Sequence, residues 1–209
     1  MQHFVIAITR KCGSGGTTVG QLLADEFDIN MYDREILHLA SEDSGISLKL
    51  FENADERVKG SLLYRISKRV YGGELIPPES NDFTSDENLF NYQAKVLREL
   101  ARDESYVVIG RAADYILKGL PHVFSIFLYA DEADCVARIK NRMFYSHGEA
   151  VKYIKKMDKY RSDYYTYHTG EKWEDPAHYD LSINTSKVGV QKTAKLIREF
   201  IKLYHPEFV

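Results

Sequence analysis

The sequence has few of the features that mark a secreted, a metal-clustered or a membrane protein. Only two of its 209 residues are cysteines, Cys12 and Cys135, and their separation does not match metal-ligand spacing. We expect both thiols to stay reduced, as in a cytosolic protein. No apolar run approaches the ~18–20 residues that cross a membrane, and the first residues lack a signal-peptide pattern. The sequence therefore predicts a cytoplasmic protein with no membrane partner.

An excess of charge of either sign is also missing. The chain has 28 Lys and Arg residues against 31 Asp and Glu residues, a formal net charge of −3. Bulk attraction to nucleic acid is therefore not expected, although local basic patches remain open. The length fits one domain over residues 1–209, long enough to bury a substantial core.

What the sequence does contain is a glycine-rich stretch near its start. The apolar run Phe4–Ile8 predicts a buried strand, Gly13–Gly16 reads GSGG, and apolar residues at helical spacing follow as far as Phe27. Strand, glycine loop and helix is the order of a phosphate-binding loop. In such a loop, backbone N–H groups and the helix N-terminus attract a polyphosphate. The alternative interpretation is a tight structural turn.

Comparison with the Walker A motif GxxxxGK[ST] depends on two positions where this loop joins the helix. Thr17 stands where the motif has its Mg²⁺-binding hydroxyl, so we predict a metal role for Thr17. Gly16 stands where the motif has lysine, so the phosphate charge is met by another cation or not at all. Arg10 and Lys11 are the nearest cations in the sequence. The residues assigned to nucleotide binding are Gly13, Ser14, Gly15, Gly16, Thr17 and Thr18.

Charged residues follow two further predicted strands. Asp33 and Arg34 come after the strand Ile29–Tyr32, and Arg111 closely follows the strand Tyr106–Ile109. Ligands of an open parallel sheet bind at the carboxyl ends of its strands. We therefore predict that Asp33 accepts hydrogen bonds from a ribose or base, and that Arg34 and Arg111 bind phosphate. The alternatives are that Asp33 only caps the next helix and that Arg111 is structural.

The rest of the chain alternates between helices and strands. With Val123–Tyr129 and Leu181–Asn184, five short strands predict an α/β fold, a doubly wound parallel sheet flanked by helices. Residues 41–85 are interpreted as an arm that covers an acceptor or as a solvated helix with a loop. Residues 138–175 include a helical hairpin rich in Arg and Lys, with a capping box at Ser146. We interpret this hairpin either as a helical lid or as helices whose charged residues only face solvent.

Five segments spread over nearly the whole chain resemble the cytidylate kinase-like family of P-loop proteins. They read ITRKCGSGG, NMYDREIL, VVIGRAADYIL, KMDKYRSDYY and YDLSINTS. The resemblance implies a P-loop NTPase-type fold with ATP and Mg²⁺ on the loop Gly13–Thr18, a monophosphate acceptor site and a lid. It also implies that Asp33 faces the acceptor nucleoside and Arg111 binds the acceptor phosphate. Arg142 and Arg161 resemble lid arginines.

Three functions are compatible with these features. The leading hypothesis is an ATP-dependent phosphotransferase whose acceptor is a small nucleotide such as CMP. In it Arg10 partly replaces the lysine, and Arg142 and Arg161 stabilise the transition state. The missing lysine favours a second hypothesis, a nucleotide-binding sensor or regulator without turnover. A third, action on RNA ends through the basic hairpin, is disfavoured by the acidic balance.

Overall fold

A five-stranded sheet forms the centre of the protein, in a computed structural model that describes residues 3–57 and 74–208. All neighbouring strands are parallel, and their order is β2-β3-β1-β4-β5. The strands are β1 Val5–Arg10, β2 Asn30–Tyr32, β3 Tyr106–Ile109, β4 Val123–Tyr129 and β5 Leu181–Asn184. The predicted doubly wound parallel sheet is therefore confirmed.

Helices pack on both faces of this sheet. They are α1 Gly16–Phe27, α2 Glu35–Ser44, α3 Leu48–Arg57, α4 Asp86–Asp103, α5 Ala113–Ile116, α6 Glu132–Met143, α7 His147–Thr169, α8 Thr185–Val188 and α9 Val190–Tyr204. Helix α7 begins with the predicted capping box, in which Ser146 and Glu149 each bond the other's backbone N–H. Within the described ranges, no helix combines the length and apolar character needed to cross a membrane.

The sheet separates two apolar cores. Val5 and Ala7 of β1 pack into the core formed with α2 and α4, whereas Ile6 and Ile8 pack into the core formed with α1 and α9. Successive side chains of a strand point to opposite faces, so a strand buried on both sides must be apolar throughout. This requirement explains why the central strands β1, β3 and β4 appear in the sequence as short, mostly apolar runs.

The segment predicted to form an arm, residues 41–85, is described only in part, because residues 58–73 lie outside the described ranges. The loop before α4 is held by Asn88. Its side-chain amide donates to the carbonyl oxygens of Ile76 at 3.2 Å and Phe83 at 2.7 Å, and its Oδ1 accepts from the N–H of Ile76 at 2.8 Å. An acceptor-covering role for this segment stays a prediction.

Candidate active site

A cavity of about 700 Å³ lies at the carboxyl ends of the first three strands of the chain. Among the residues assigned from the sequence, every one except Ser14 lines this cavity. The assigned residues in its wall are Arg10, Gly13, Gly15, Gly16, Thr17, Thr18, Asp33, Arg34, Arg111, Arg142 and Arg161. The structure thus brings together residues that span most of the sequence, while their individual roles stay predictions.

The glycine loop is shaped by two left-handed residues. Gly13 has φ +80° and Gly15 has φ +84°, a region that glycine adopts without steric penalty. A Cβ at Gly13 would lie 2.8 Å from the backbone of Cys135 in α6, and one at Gly15 would lie 2.8 Å from the side chain of Val190 in α9. The loop is therefore packed closely between two helices, and a larger residue at either position would displace it.

Side chains from distant parts of the chain hold the carbonyl groups of the loop. Arg138 donates from Nη1 to the Gly13 oxygen at 2.9 Å, and Thr185 donates to the Ser14 oxygen at 2.7 Å. The buried Ser14 hydroxyl donates to the Lys11 oxygen at 2.8 Å, so this side chain supports the loop from behind. The sequence assignments did not include Arg138 or Thr185. The sequence indicates these two residues only weakly: Arg138 lies one helical turn before Arg142, and Thr185 directly follows β5.

The first turn of α1 offers donors to an anion. Its N-cap, Gly15, provides no side-chain cap, and the turn contains no acidic residue. Thr17 and Thr18 are exposed there and face the cavity. The N–H groups of a first helical turn have no partner within the helix, and the helix dipole favours negative charge at this end. This donor set fits a phosphate chain, and the Thr17 hydroxyl fits as an oxygen ligand of Mg²⁺.

Arg10 lies in a slot between two glycines. Counting back along GxxxxGK[ST] from Gly16 places Arg10 at the motif's first glycine, so arginine and glycine stand where the motif has glycine and lysine. A Cβ at Gly16 would lie 2.7 Å from Cβ and Cγ of Arg10, and a Cβ at Gly110 would collide with its Nη1. The absence of side chains at Gly16 and Gly110 therefore allows the guanidinium to reach the cavity. We call this arrangement the Arg10 slot.

The environment of Arg10 is rich in positive charge. Burial is the main cause that lowers its pKa to about 9, and the neighbouring Arg161 lowers it further. Asp33 opposes both effects, with Oδ1 at 3.5 Å from Nη2 of Arg10. The guanidinium stays protonated at neutral pH despite this cost. A bound anion would relieve the repulsion among these cations.

The interpretation of Asp33 as a helix cap is not what the structure shows. Helix α2 begins at Glu35, its N-cap is Arg34, and no side chain caps it. The N–H of Asp33 instead donates to the Glu35 carboxylate at 2.8 Å, which lowers the pKa of Glu35. The Asp33 side chain is paired with Arg10, and the exposed Arg34 lies in the cavity wall. The ion pair between Asp33 and Arg10 joins the predicted acceptor site to the end of β1, just before the glycine loop.

The turn after β3 is in an unusual conformation. Gly110, Arg111 and Ala112 have consecutive φ values of 75°, 61° and 51°. A left-handed residue other than glycine costs on the order of 1–3 kcal/mol, and surrounding contacts must hold it in place. Two such residues in sequence fix the path of the chain at the cavity edge. Arg111 lies in the cavity wall as a result.

Helix α7, part of the predicted lid, is hydrogen-bonded to the backbone that joins β1 to the glycine loop. Asp158 accepts from the N–H of Cys12 at 2.6 Å, and Arg161 donates to the carbonyl of Arg10 at 3.1 Å. Burial raises the pKa of Asp158. Of these two residues only Arg161 could be assigned a role from the sequence, although both belong to the segment KMDKYRSDYY. Movement of this helix as a lid stays a prediction.

A buried acid joins the end of β1 to the same helix. Asp114 accepts from the hydroxyl of Thr9 at 3.2 Å and from that of Tyr165 in α7 at 2.6 Å. Burial raises the pKa of Asp114. The Tyr165 side chain is buried with Trp173 in the core. The contact positions α7 beside the cavity.

A parallel sheet with a glycine loop between β1 and α1, facing a cavity lined by arginines, defines a P-loop protein of the kinase type. Solved kinases share this fold at low identity. A shikimate kinase from Bacteroides thetaiotaomicron aligns with a TM-score of 0.51 and 13% identity over 95% of this chain and 98% of that one. A gluconokinase from Sinorhizobium meliloti 1021 aligns with a TM-score of 0.51 and 16% identity over 97% of each chain.

The chain belongs to the cytidylate kinase-like family, which it matches over residues 5–187. It is 32% identical over 155 residues to the cytidylate kinase of Thermosipho melanesiensis, which covers 66% of this chain and 67% of that one. A solved structure of an uncharacterized protein from Eubacterium ventriosum ATCC 27560 has a TM-score of 0.70 and 27% identity, covering 96% and 99% of the two chains. The family resemblance predicted from the sequence is confirmed. Family and fold together support a nucleotide-binding phosphotransferase.

Proposed function

We propose that the protein transfers the γ-phosphate of ATP to a small acceptor, and that the acceptor is a nucleoside monophosphate such as CMP. The observation that supports this proposal best is the convergence of arginines on the cavity beside the loop, among them Arg10, Arg111, Arg142 and Arg161. Transfer of a phosphoryl group depends on alignment and on charge neutralisation more than on covalent help from the protein. A cluster of guanidinium groups around a phosphate loop meets both needs.

The donor nucleotide is assigned to the loop and the first turn of α1. The N–H groups of Gly13–Thr18 that face the cavity hold phosphate oxygens, while Ser14 serves through the shape of the loop. The hydroxyl of Thr17 holds Mg²⁺, whose contribution is to neutralise the charge of the phosphates. Arg10 supplies the charge that lysine supplies in the Walker A motif. Arg10 does so from the Arg10 slot, in which its Cβ and Cγ atoms pack against Gly16.

The acceptor is assigned to the opposite wall of the cavity. Arg111 binds the acceptor phosphate in a two-pronged manner, and Arg34 adds a second cation at the exposed rim. Asp33 accepts hydrogen bonds from the acceptor nucleoside, next to its ion pair with Arg10. Arg142 and Arg161 stabilise the charge on the group in transfer. The attacking phosphate oxygen is already ionised, so no general base is required.

The experiment is to measure ADP formation from ATP and Mg²⁺ with CMP, dCMP, UMP, AMP and GMP, beside a reaction without acceptor. We expect turnover that depends on the acceptor and that Thr17→Ala abolishes. Thr18→Ala is the matched variant, because it removes an exposed hydroxyl one residue further along the same helix, and we expect a smaller loss. Arg111→Ala should raise the KM for the acceptor more than the KM for ATP.

Two results would contradict the proposal. ATP binding in calorimetry without turnover for any acceptor would favour a non-catalytic nucleotide-binding protein. Unchanged acceptor affinity in Arg111→Ala would remove the assigned acceptor site, even if turnover itself were present.

A further inference from the structure

Two histidines and a glutamate come together at the end of the sheet opposite the cavity. His122 immediately precedes β4, His205 follows α9, and Glu207 lies in the short 3-10 helix Pro206–Phe208. One potential ligand atom from each of the three residues lies within 4.8 Å of the other two. Parallel strands begin at this end, so the cluster is separate from the proposed phosphotransfer site.

His122 is held in a strained conformation and has an unsatisfied nitrogen. Its φ is 62°, in the left-handed region, and its carbonyl accepts from the N–H of Val5 at 2.9 Å. Its Nδ1 is buried and makes no hydrogen bond with any described residue. Burying a polar atom without a partner costs free energy, and such an atom in a native structure calls for a ligand that satisfies it.

Aromatic packing orients the two imidazole rings. The rings of His122 and His205 lie 4.6 Å apart at 84°, and Phe208 lies 5.1 Å from the first and 5.3 Å from the second. Glu207 approaches His205 with Oε1 at 2.9 Å from Nδ1. The three groups are thus arranged together by the fold itself.

We propose that His122, His205 and Glu207 form a binding site for a divalent transition metal ion of the Zn²⁺ type. Two imidazoles and one carboxylate suit Zn²⁺ and Co²⁺, whereas Mg²⁺ and Ca²⁺ prefer oxygen ligands alone. A fourth position would be left for water. The ion would join the turn after α9 to the start of β4. An ion that binds only the folded chain stabilises the fold.

The test uses the full chain without an affinity tag, freed of metal with a chelator and then titrated with Zn²⁺ in a calorimeter. We expect one equivalent to bind and the midpoint temperature of unfolding to rise with Zn²⁺ in the absence of ATP. Co²⁺ at the same site should give the visible absorption of a low-coordinate ion with nitrogen ligands. None of these readouts depends on phosphotransfer, so they are independent of the proposed function.

Three variants locate the site. His122→Gln and Glu207→Gln should each weaken Zn²⁺ binding by at least about tenfold. Glu207 is exposed, so its variant tests the site without disturbing the core. His178→Gln is the matched control, because His178 lies 3.4 Å from Glu171 as a histidine–carboxylate pair outside the cluster, and we expect it to bind Zn²⁺ as the parent does. Absence of binding, equal affinity in all variants, or an equal loss in His178→Gln would overturn the proposal.

Discussion

The side chain of Arg10 occupies the space that a side chain at Gly16 would need. A Cβ at position 16 would lie 2.7 Å from both Cβ and Cγ of Arg10, closer than Cβ atoms approach their neighbours in proteins. The two positions correspond to the first glycine and the lysine of the Walker A motif, so the large and the small residue have exchanged places. The cation therefore reaches the cavity from the end of β1 instead of from the first turn of α1.

This relationship predicts the outcome of an exchange of the two residues. Gly16→Lys alone should reduce kcat/KM for ATP by at least about tenfold, because the lysine collides with the Arg10 stem and adds a second buried cation. Arg10→Gly alone should reduce it to a similar extent, because the cation is lost. The double variant should recover activity, and a double-mutant cycle of steady-state kinetics measures that coupling.

Lys11→Ala is the comparison for the loss of Arg10. Lys11 is the neighbouring cation, but it pairs with Glu174 at 3.1 Å. We expect a smaller loss of kcat/KM than in Arg10→Ala. Equal losses, or a double variant no better than either single one, would show that Arg10 does not replace the lysine.

The other wall of the Arg10 slot provides a second prediction. Gly110→Ala should lower turnover, because the new methyl group would collide with Nη1 of Arg10. Gly119→Ala is the matched control: Gly119 has a similar φ, +85° against +75°, but no heavy atom lies within 4 Å of its Cβ position. Both variants place an alanine in the left-handed region and so have similar backbone strain, but only Gly110→Ala displaces Arg10. Equal kcat values for the two variants would argue against a role for the slot.

Thr185→Val should weaken ATP binding without removing any group from the cavity. The variant leaves the Ser14 carbonyl without its 2.7 Å hydrogen bond, so the loop loses about 1 kcal/mol of support. The matched variant is Thr193→Val, which removes a similar 2.8 Å bond to Gly189 within the last helices. We expect similar losses of unfolding free energy in denaturant titrations, but a several-fold rise in the Kd for ATP only in Thr185→Val. The same Kd in both variants would contradict the assignment.

Stability should depend on pH through His168. This residue is buried and stacked on Phe90 at 4.0 Å, and burial lowers its pKa to about 3. In the unfolded chain a histidine titrates near 6.5, so between these values the unfolded state binds more protons and stability falls as pH falls. From pH 7 to pH 5 the loss should be about 2 kcal/mol.

His168→Phe tests this dependence because it keeps the stacked ring and removes the titrating group. Urea unfolding of the variant at pH 7 and pH 5 should show a smaller difference than that of the parent. The exposed His147 provides the control, and His147→Gln should leave the difference unchanged. An unchanged pH dependence in His168→Phe would refute the prediction.

Much of the fold could be predicted because buried parallel strands can be recognised from the apolar residues in their sequences. Strands β3, β4 and β5 have the predicted bounds. The first two are short, mostly apolar runs between polar turns, whereas the edge strand β5 alternates apolar and polar residues. Strand β1 extends beyond the predicted Ile8 to Arg10, which brings the arginine into the sheet. The helices Ala113–Ile116 and Thr185–Val188 were not predicted, because four residues are too few to show a helical period.

The candidate site could be predicted where its residues follow strands, and not where they act through the backbone of another segment. Asp33 and Arg111 come after strands whose ends share one edge, so their proximity follows from topology. Arg138, Asp158 and Thr185 contact loop atoms that are 125, 146 and 171 residues away in sequence. A hydrogen bond to a main-chain atom requires no particular residue type at the receiving position. No local sequence pattern therefore predicts these contacts.

Four side chains from later in the sequence bond to the main chain of the glycine loop or of the residues that lead into it from β1. Asp158 and Arg161 reach it from α7, Arg138 reaches it from α6, and Thr185 reaches it after β5. Every residue other than proline offers the same backbone groups, so these bonds are indifferent to the identity of the loop's own side chains. The four bonds therefore constrain the path of the main chain, whereas the residue type within the loop is constrained separately, by the left-handed φ values and close packing of Gly13 and Gly15.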